Sequence, residues 1–565
     1  MSYDLVIKGG RVMDGTGLPG FTADVAVTDG RIVEMGRIAG PSQRTIEADG
    51  LVVAPGFIDI HTHDDAQILW DPLASSSCWH GFTTMVFGNC GFTIAPARAE
   101  DRTYLLKMLA RVEGMSLSAL EAGVDWDWAT VPEYLDRIGS RLGVNVAAMI
   151  GHSAVRYHVM GEAALERAAT EDEIRGMQAV VRQGMAAGAA GFSTSQQITH
   201  LDGDERPIPS RQATADEIVA LASVLKEFNA GAIELVPKSL LTGLSEEDRK
   251  LLVRLAVESG RFVNWNEFHY RWDDPERWRD IADFMADASR RYGARLYGVA
   301  RTQRTRTTFD LVKTATFDRV PAWKAFMARS KEDKAKALGD QATIKHLVYE
   351  MEHSDLLPAL LPRWGTIYVD RPALAGNQAL KGQSLAEIGR ERGVHPAEAM
   401  LTIASEEALE TVFLLTRNTK DEEGVLADLL RSPHAIVGIS DAGAHTQSLC
   451  QVDFSTHLLT HWARDERVIS LEDAVRRLSF VPASLMGIRD RGRIQEGLAA
   501  DLIVFDPEAL APNAQETVSD LPDGGSRTIL KANGYHYSIV NGQIVLEDGV
   551  HTGAFPGRVL RSGPA

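Results

Sequence analysis

Two histidines spaced i, i+2 end the apolar segment "GFIDIHTHDD", Gly56–Asp65. In an extended strand such positions face the same side, so His61 and His63 can offer imidazole nitrogens to one cation. Similar residues end other apolar runs: Cys90 in "MVFGNCGF", His152 in "MIGHSAVR", and Asp441 with His445 in "GISDAGAH". Polar groups in such settings are costly unless paired or bound to metal. A His-x-His pair, a distant Asp and a thiolate or neutral ligand compose a hydrolytic metal site whose open position holds a water. The alternatives are a satisfied core pair for His61 and His63, an inert buried thiol for Cys90 and a helix N-cap for Asp441. Asp64 and Asp65 read as groups that orient a ligand histidine.

Other candidates are less marked. Arg156 follows a barrel-type strand and fits an anionic substrate group gripped bidentately; a salt-bridged arginine is the alternative. Ser193 and Ser195 in "GAAGFSTS" offer hydroxyls to a substrate, but that stretch lacks the Gly-Lys-Ser/Thr ending of a phosphate cradle. The arginines from Arg301 to Arg306 read as a solvated face or a lid contact. Cys78 and Cys450 read as core residues.

These residues need a scaffold that brings strand ends together. From about residue 55 to 485, short apolar strands alternate with amphipathic stretches, as in "AIELVPK" then "SEEDRKLLVRLAVESG". Strands buried on both faces and alternating with helices imply parallel βα units. Enough of them recur for an α/β, TIM-like (β/α)8 barrel, whose strand C-terminal ends converge on one face. Thr170, Ser245 and Asp274 precede helical runs as N-caps. Residues 1–54 and 486–565 alternate apolar and polar positions with Asn-Gly and Asp-Gly turns, so both ends are expected to form one small β-sandwich. The stretch near 301–363 fits no clean βα unit and is read as an insertion or lid.

The 565-residue chain has a formal net charge of −18, which disfavours nucleic acid and anionic lipid. Its 3 cysteines make no disulfide framework, which agrees with a reducing compartment. No apolar run reaches membrane-spanning length, and the first residues carry no secretory pattern. A cytoplasmic protein acting on a small molecule is expected, in an oligomeric state that the residues leave open.

The chain resembles the amidohydrolase superfamily, and within it the D-aminoacylases (N-acyl-D-amino-acid deacylases). The resemblance rests on "PGFIDIHTHDD", "FGNCGFTIAP", "IGHSAVR", "GAAGFSTS", "GISDAGAH", "SLMGIRDRGRIQEGLAADLIVFD" and "VNGQIVLEDGVHTGAFPGRVLR". It implies a metal-bearing barrel, His61 and His63 as the first metal pair, Cys90 as a thiolate ligand, and Asp441 as the acid that orients or deprotonates the attacking water. His152 would stand at the barrel mouth, near substrate.

The chain departs from that pattern at two strand ends where the family has metal-binding histidines. Here they read "GAIELVPK" and "RFVNWNEFH", placing Val236 or Glu234 at the first and Asn266 at the second. His269 lies three residues on, and Phe268 replaces the lysine that would contact a substrate carboxylate. One cation is therefore expected rather than two, zinc first among divalent metals. Glu234 and His269 are the alternatives for a further ligand or base, and Asn266 for a substrate contact. The resemblance implies hydrolysis of an N-acyl amino acid-like amide by a metal-activated water. A lactone, carbamate, cyclic imide or ester substrate, or a metal-free descendant without catalysis, are the other readings.

Overall fold

The computed structural model describes residues 2–303, 306–312, 314, 316–356, 361–416, 422–446 and 451–563. Cys450 lies outside them. The chain divides into two compact units, one of residues 1–270, 276–303 and 426–565, the other of 271–275 and 304–425.

In the first unit eight parallel strands follow one another around a barrel. They are Phe57–Asp59, Phe82–Phe87, Asn145–Ala148 continuing as Ile150–Gly151, Gly191–Ser195, Ala232–Val236, Val263–Trp265, Leu296–Ala300 and Ala435–Val437. Between the last strand and the first, Asp441 N–H donates to the His61 carbonyl (3.3 Å) and His63 N–H to that of Ala442 (2.6 Å). Gly443, with φ +85°, has to be glycine, because a Cβ there would stand 2.4 Å from the His63 carbonyl oxygen. Ile58, Ile60, Val86, Met149, Phe262 and Ile436 fill the barrel, each worth about 1.5–3 kcal/mol when fully buried.

The surrounding helices begin where their sequences provide a cap. Thr170 and Glu173 form a reciprocal capping box on Glu171–Ala186, and the Ser245 hydroxyl accepts from Asp248 N–H ahead of Glu246–Ser259. Asp274 does not cap its helix: Pro275 intervenes, and the helix starts at Arg277 after Glu276.

The two ends of the chain share a nine-stranded sheet. Its seam is the antiparallel pairing of Val52–Pro55 with Leu502–Phe505, over a core that includes Leu5, Val25, Val53, Leu502 and Ile539. His80 ties the C-terminal segment to the barrel unit: its ring nitrogens stand 2.8 Å from Thr456 Oγ1 and 3.2 Å from the Leu530 carbonyl. Burial pushes its pKa down to about 3, from an ordinary value of 6.5. The unfolded chain therefore takes up a proton here first as pH falls. The stability contributed by neutral His80 is complete above pH 6.5 and is lost toward pH 3, by at most about 5 kcal/mol. His80→Gln is expected to flatten the loss of thermal midpoint between pH 6.5 and 4, as read by calorimetry.

The second unit has its own core. A three-stranded antiparallel sheet, Arg306–Phe309, Val412–Thr416 and Ile367–Arg371 with the middle one central, packs with helices around Phe317, Trp323, Leu347, Met400 and Phe413. The stretch marked off in the sequence at 301–363 is thus the first part of a longer unit. Its later helices, Leu385–Arg392 and Pro396–Glu406, have the same amphipathic pattern as barrel helices.

Candidate metal centre

His61 and His63 follow the first barrel strand and are buried. Their rings meet edge to face with centroids 5.3 Å apart. Burial lowers their pKa values to about 4 and about 3, so both are neutral near pH 7 and keep a lone pair for a cation. Asp59 Oδ1 accepts the His61 backbone N–H at 3.1 Å. Asp65 Oδ2 accepts from Gly88 N–H (3.1 Å), fixing the turn that leads to Cys90.

Cys90 sits in the left-handed region at φ +56°, rare for a residue with a side chain. Two bonds hold that turn. Its N–H donates to Glu234 Oε2 at 2.8 Å, and Gly91 N–H donates to Ser193 Oγ at 3.0 Å. The Cys90 sulfur lies 3.5 Å from His61 Nε2. Donor atoms of His61, His63 and Cys90 all lie within 4.8 Å of one another. Asp441, also left-handed at φ +53°, brings Oδ1 to 3.4 Å from His61 Nε2 and 4.0 Å from His63 Nε2. Four tetrahedral ligands bound at 2.0–2.3 Å stand roughly 3.3–3.8 Å apart. The cluster of two imidazoles and a thiol therefore fits a single divalent cation with one tetrahedral position left open, and Asp441 stands beside both histidines but outside that three-residue cluster.

Burial pushes the Asp441 carboxyl up, but the Arg301 guanidinium and the two histidines outweigh it and hold the group well below the ordinary carboxylate range. Arg301 donates to Asp441 Oδ2 at 2.8 Å and to Glu267 Oε1 at 3.2 Å, and also to Gln451. The solvated or lid role given to this arginine is corrected: it follows the seventh strand directly and is held among carboxylates at the strand ends. Glu113 is a further acid of the site, with Oε2 3.6 Å from His63 Nε2 and its carboxyl pushed up by burial. It ends a helix, where no spacing pattern singles it out.

Glu234, not Val236, reaches the centre from the fifth strand. Its oxygens accept from Cys90 N–H and Asn266 Nδ2, and burial raises its pKa to about 8. Asn266 Nδ2 also lies 2.9 Å from His61 Nδ1, while its Oδ1 makes no hydrogen bond. Turned over, the carboxamide oxygen would accept a hydrogen bond from His61 Nδ1–H, leaving Nε2 for a cation, and another from Glu234, whose pKa of about 8 keeps it largely protonated near neutral pH. Asn266 is thus placed against the His61 ring. His269 brings Nδ1 to 2.8 Å from the Glu267 carbonyl and is not in the three-residue donor cluster.

Three expected substrate contacts are corrected. His152 is fully buried, its nitrogens 2.8 Å from Thr194 Oγ1 and 3.0 Å from Glu217 Oε1. Arg156 is equally buried and ion-paired to Glu217 at 2.7 Å, with further bonds to the carbonyls of Ala164, Pro209 and Arg167. The Ser193 hydroxyl is used by Gly88 and Gly91. All three brace the loops behind the site. Removing one partner of a buried pair costs about 3–5 kcal/mol. Arg156→Ala is therefore expected to lower stability by that order in denaturant titration while leaving KM of the surviving enzyme unchanged.

The profile of the Amidohydrolase family matches residues 44–546. The chain belongs to the amidohydrolase family. It is 28% identical to the D-aminoacylase of Alcaligenes xylosoxydans xylosoxydans, over 99% of this chain and 97% of that one. A crystal structure of D-aminoacylase superposes with a TM-score of 0.66 at 26% identity, covering 99% of this chain and 100% of the other. The N-acyl-D-glutamate deacylase of Bordetella bronchiseptica, solved with zinc and a phosphonate inhibitor, shares the fold with a TM-score of 0.63 at 24% identity, covering 99% and 100%.

Proposed function

We propose that this amidohydrolase cleaves the amide bond of an N-acyl amino acid-like substrate, using one divalent cation, zinc first among the candidates, held by His61, His63, Cys90 and Asp441. The observation that carries this reading is the 3.4–4.0 Å spacing of donor atoms from the first, second and last strand ends. A cation bound there would polarise the substrate carbonyl and acidify a water.

The chain's own groups supply the rest. Asp441 stays ionised near neutral pH, so Oδ1 can accept the water's proton and return it to the leaving nitrogen. Arg301 holds Oδ2 and keeps the carboxylate aimed at the histidines. Glu234 and Asn266 fix the Cys90 turn and the His61 ring. The division into a split β domain (1–54 and 486–565) and a barrel (55–485), and a cytoplasmic location, belong to the same reading.

Phe268 favours a second reading. It is 1% exposed and packs on Trp265, giving no cation for a substrate carboxylate, and a lactone, carbamate, cyclic imide or ester would need none. Metal analysis followed by assays of the restored enzyme separates the readings. About one cation per chain, with turnover of N-acyl-D-amino acids abolished by chelation and restored by metal, supports the first. Turnover confined to the other bonds supports the second, and no bound metal after metal-replete expression defeats both.

A further inference from the structure

At the end of the barrel opposite the metal centre, residues just ahead of the strands gather positive charge. Asn229 precedes the fifth strand, Arg261 the sixth and Arg295 the seventh, and the segment after helix Phe480–Met486 adds Arg489, Arg491 and Arg493. With Phe480 and Ser484 they line a cleft of about 500 Å³ that contains no carboxylate. Arg491 is neutralised beneath it by Asp501 at 2.6 Å and Asp490 at 2.7 Å.

The others have no such partner among the described residues. Arg261 donates to the Gly231 carbonyl (2.8 Å) and Asn229 Oδ1 (3.0 Å), Arg295 to the Gly260 carbonyl (3.0 Å), and Arg493 lies 5.1 Å over the Phe480 ring. Burial and repulsion from Arg295 and Arg489 both push the Arg261 guanidinium down. In a chain of net charge −18, carboxylates abound, and elsewhere arginines take them, as Arg254 does from Asp216 and Glu258. An adjoining cleft of about 390 Å³ shares Arg489 and Arg491, is lined also by Asp490, and adds Arg558, which pairs with no carboxylate among the described residues.

Like charges held together in a recess repel one another unless an anion sits between them. Guanidinium forks match phosphate oxygens bidentately, and this recess presents more positive charge than one monoanion uses. We propose that the arginine cleft beneath the barrel is a binding site for a small soluble anion bearing two or more linked phosphates, separate from the amidohydrolase centre.

The test is calorimetric titration of the full-length, metal-loaded protein with pyrophosphate, in parallel with orthophosphate and citrate at fixed ionic strength. Saturable binding of pyrophosphate is expected, with orthophosphate and citrate weaker by about tenfold or more. The double variant Arg295→Ala/Arg489→Ala is expected to weaken pyrophosphate by about tenfold or more while its ligand-free melting temperature is not lowered. Pyrophosphate held by the metal would bind both proteins alike and would overturn the proposal. So would the absence of saturable heat, citrate binding as tightly as pyrophosphate, or a variant whose oligomeric state changes, since the arginines would then be packing on a second copy.

Discussion

Asp441→Asn is expected to lower kcat by about 10²–10⁴-fold, the range associated with loss of a positioned acid–base group, with the fold and the bound metal retained. Asparagine preserves the shape of the side chain and an oxygen toward the histidines, but cannot take a proton. Arg301 loses one carboxylate and retains Glu267 at 3.2 Å, so the strand end stays charge-balanced. Steady-state kinetics beside metal analysis and circular dichroism make the measurement. A metal-loaded variant whose kcat stays within about threefold of the parent would remove Asp441 from the chemistry.

His61→Ala is the substitution with the greatest expected effect on metal content. His61 lies at the junction of the cluster, with Asp441 Oδ1 at 3.4 Å and the Cys90 sulfur at 3.5 Å from Nε2, and Asn266 behind Nδ1. Losing an orienting partner alone costs about 10–100-fold in metal affinity, so deleting the ligand itself is expected to exceed 100-fold. Competition against a chromophoric chelator reads this directly. Asn266→Ala, which removes only the group behind the ring, belongs in the lower range. Equal losses in the two variants would mean that His61 does not bind the cation.

The barrel and the split β domain were legible because their strands follow two different rules: buried runs between amphipathic helices in one, alternation with Asn-Gly and Asp-Gly turns in the other. The four candidate donors stood out because each follows an apolar strand, where an ionisable residue needs a reason. Arg301 satisfies the same rule, one residue beyond Leu296–Ala300, but its neighbours in "RTQRTRTT" disguise it as a charge run. Glu113 lies at a helix end whose fold-back toward His63 no periodicity encodes. His152 and Arg156 were misplaced for a different reason: position after a strand does not tell whether a side chain faces the mouth or the packed layer behind it, and Glu217, which captures both, lies in a later helix. The extent of the second unit was hidden because its helices carry the same apolar spacing as those of the barrel.

The seam between Val52–Pro55 and Leu502–Phe505 imposes an order on biosynthesis. Strands made early wait, edge unpaired, through about 450 further residues before their partner leaves the ribosome, and distant pairings of this kind form slowly. During that wait the exposed edge is a template for neighbouring nascent chains. Yield in a heterologous host is therefore expected to rise with chaperone supply during synthesis.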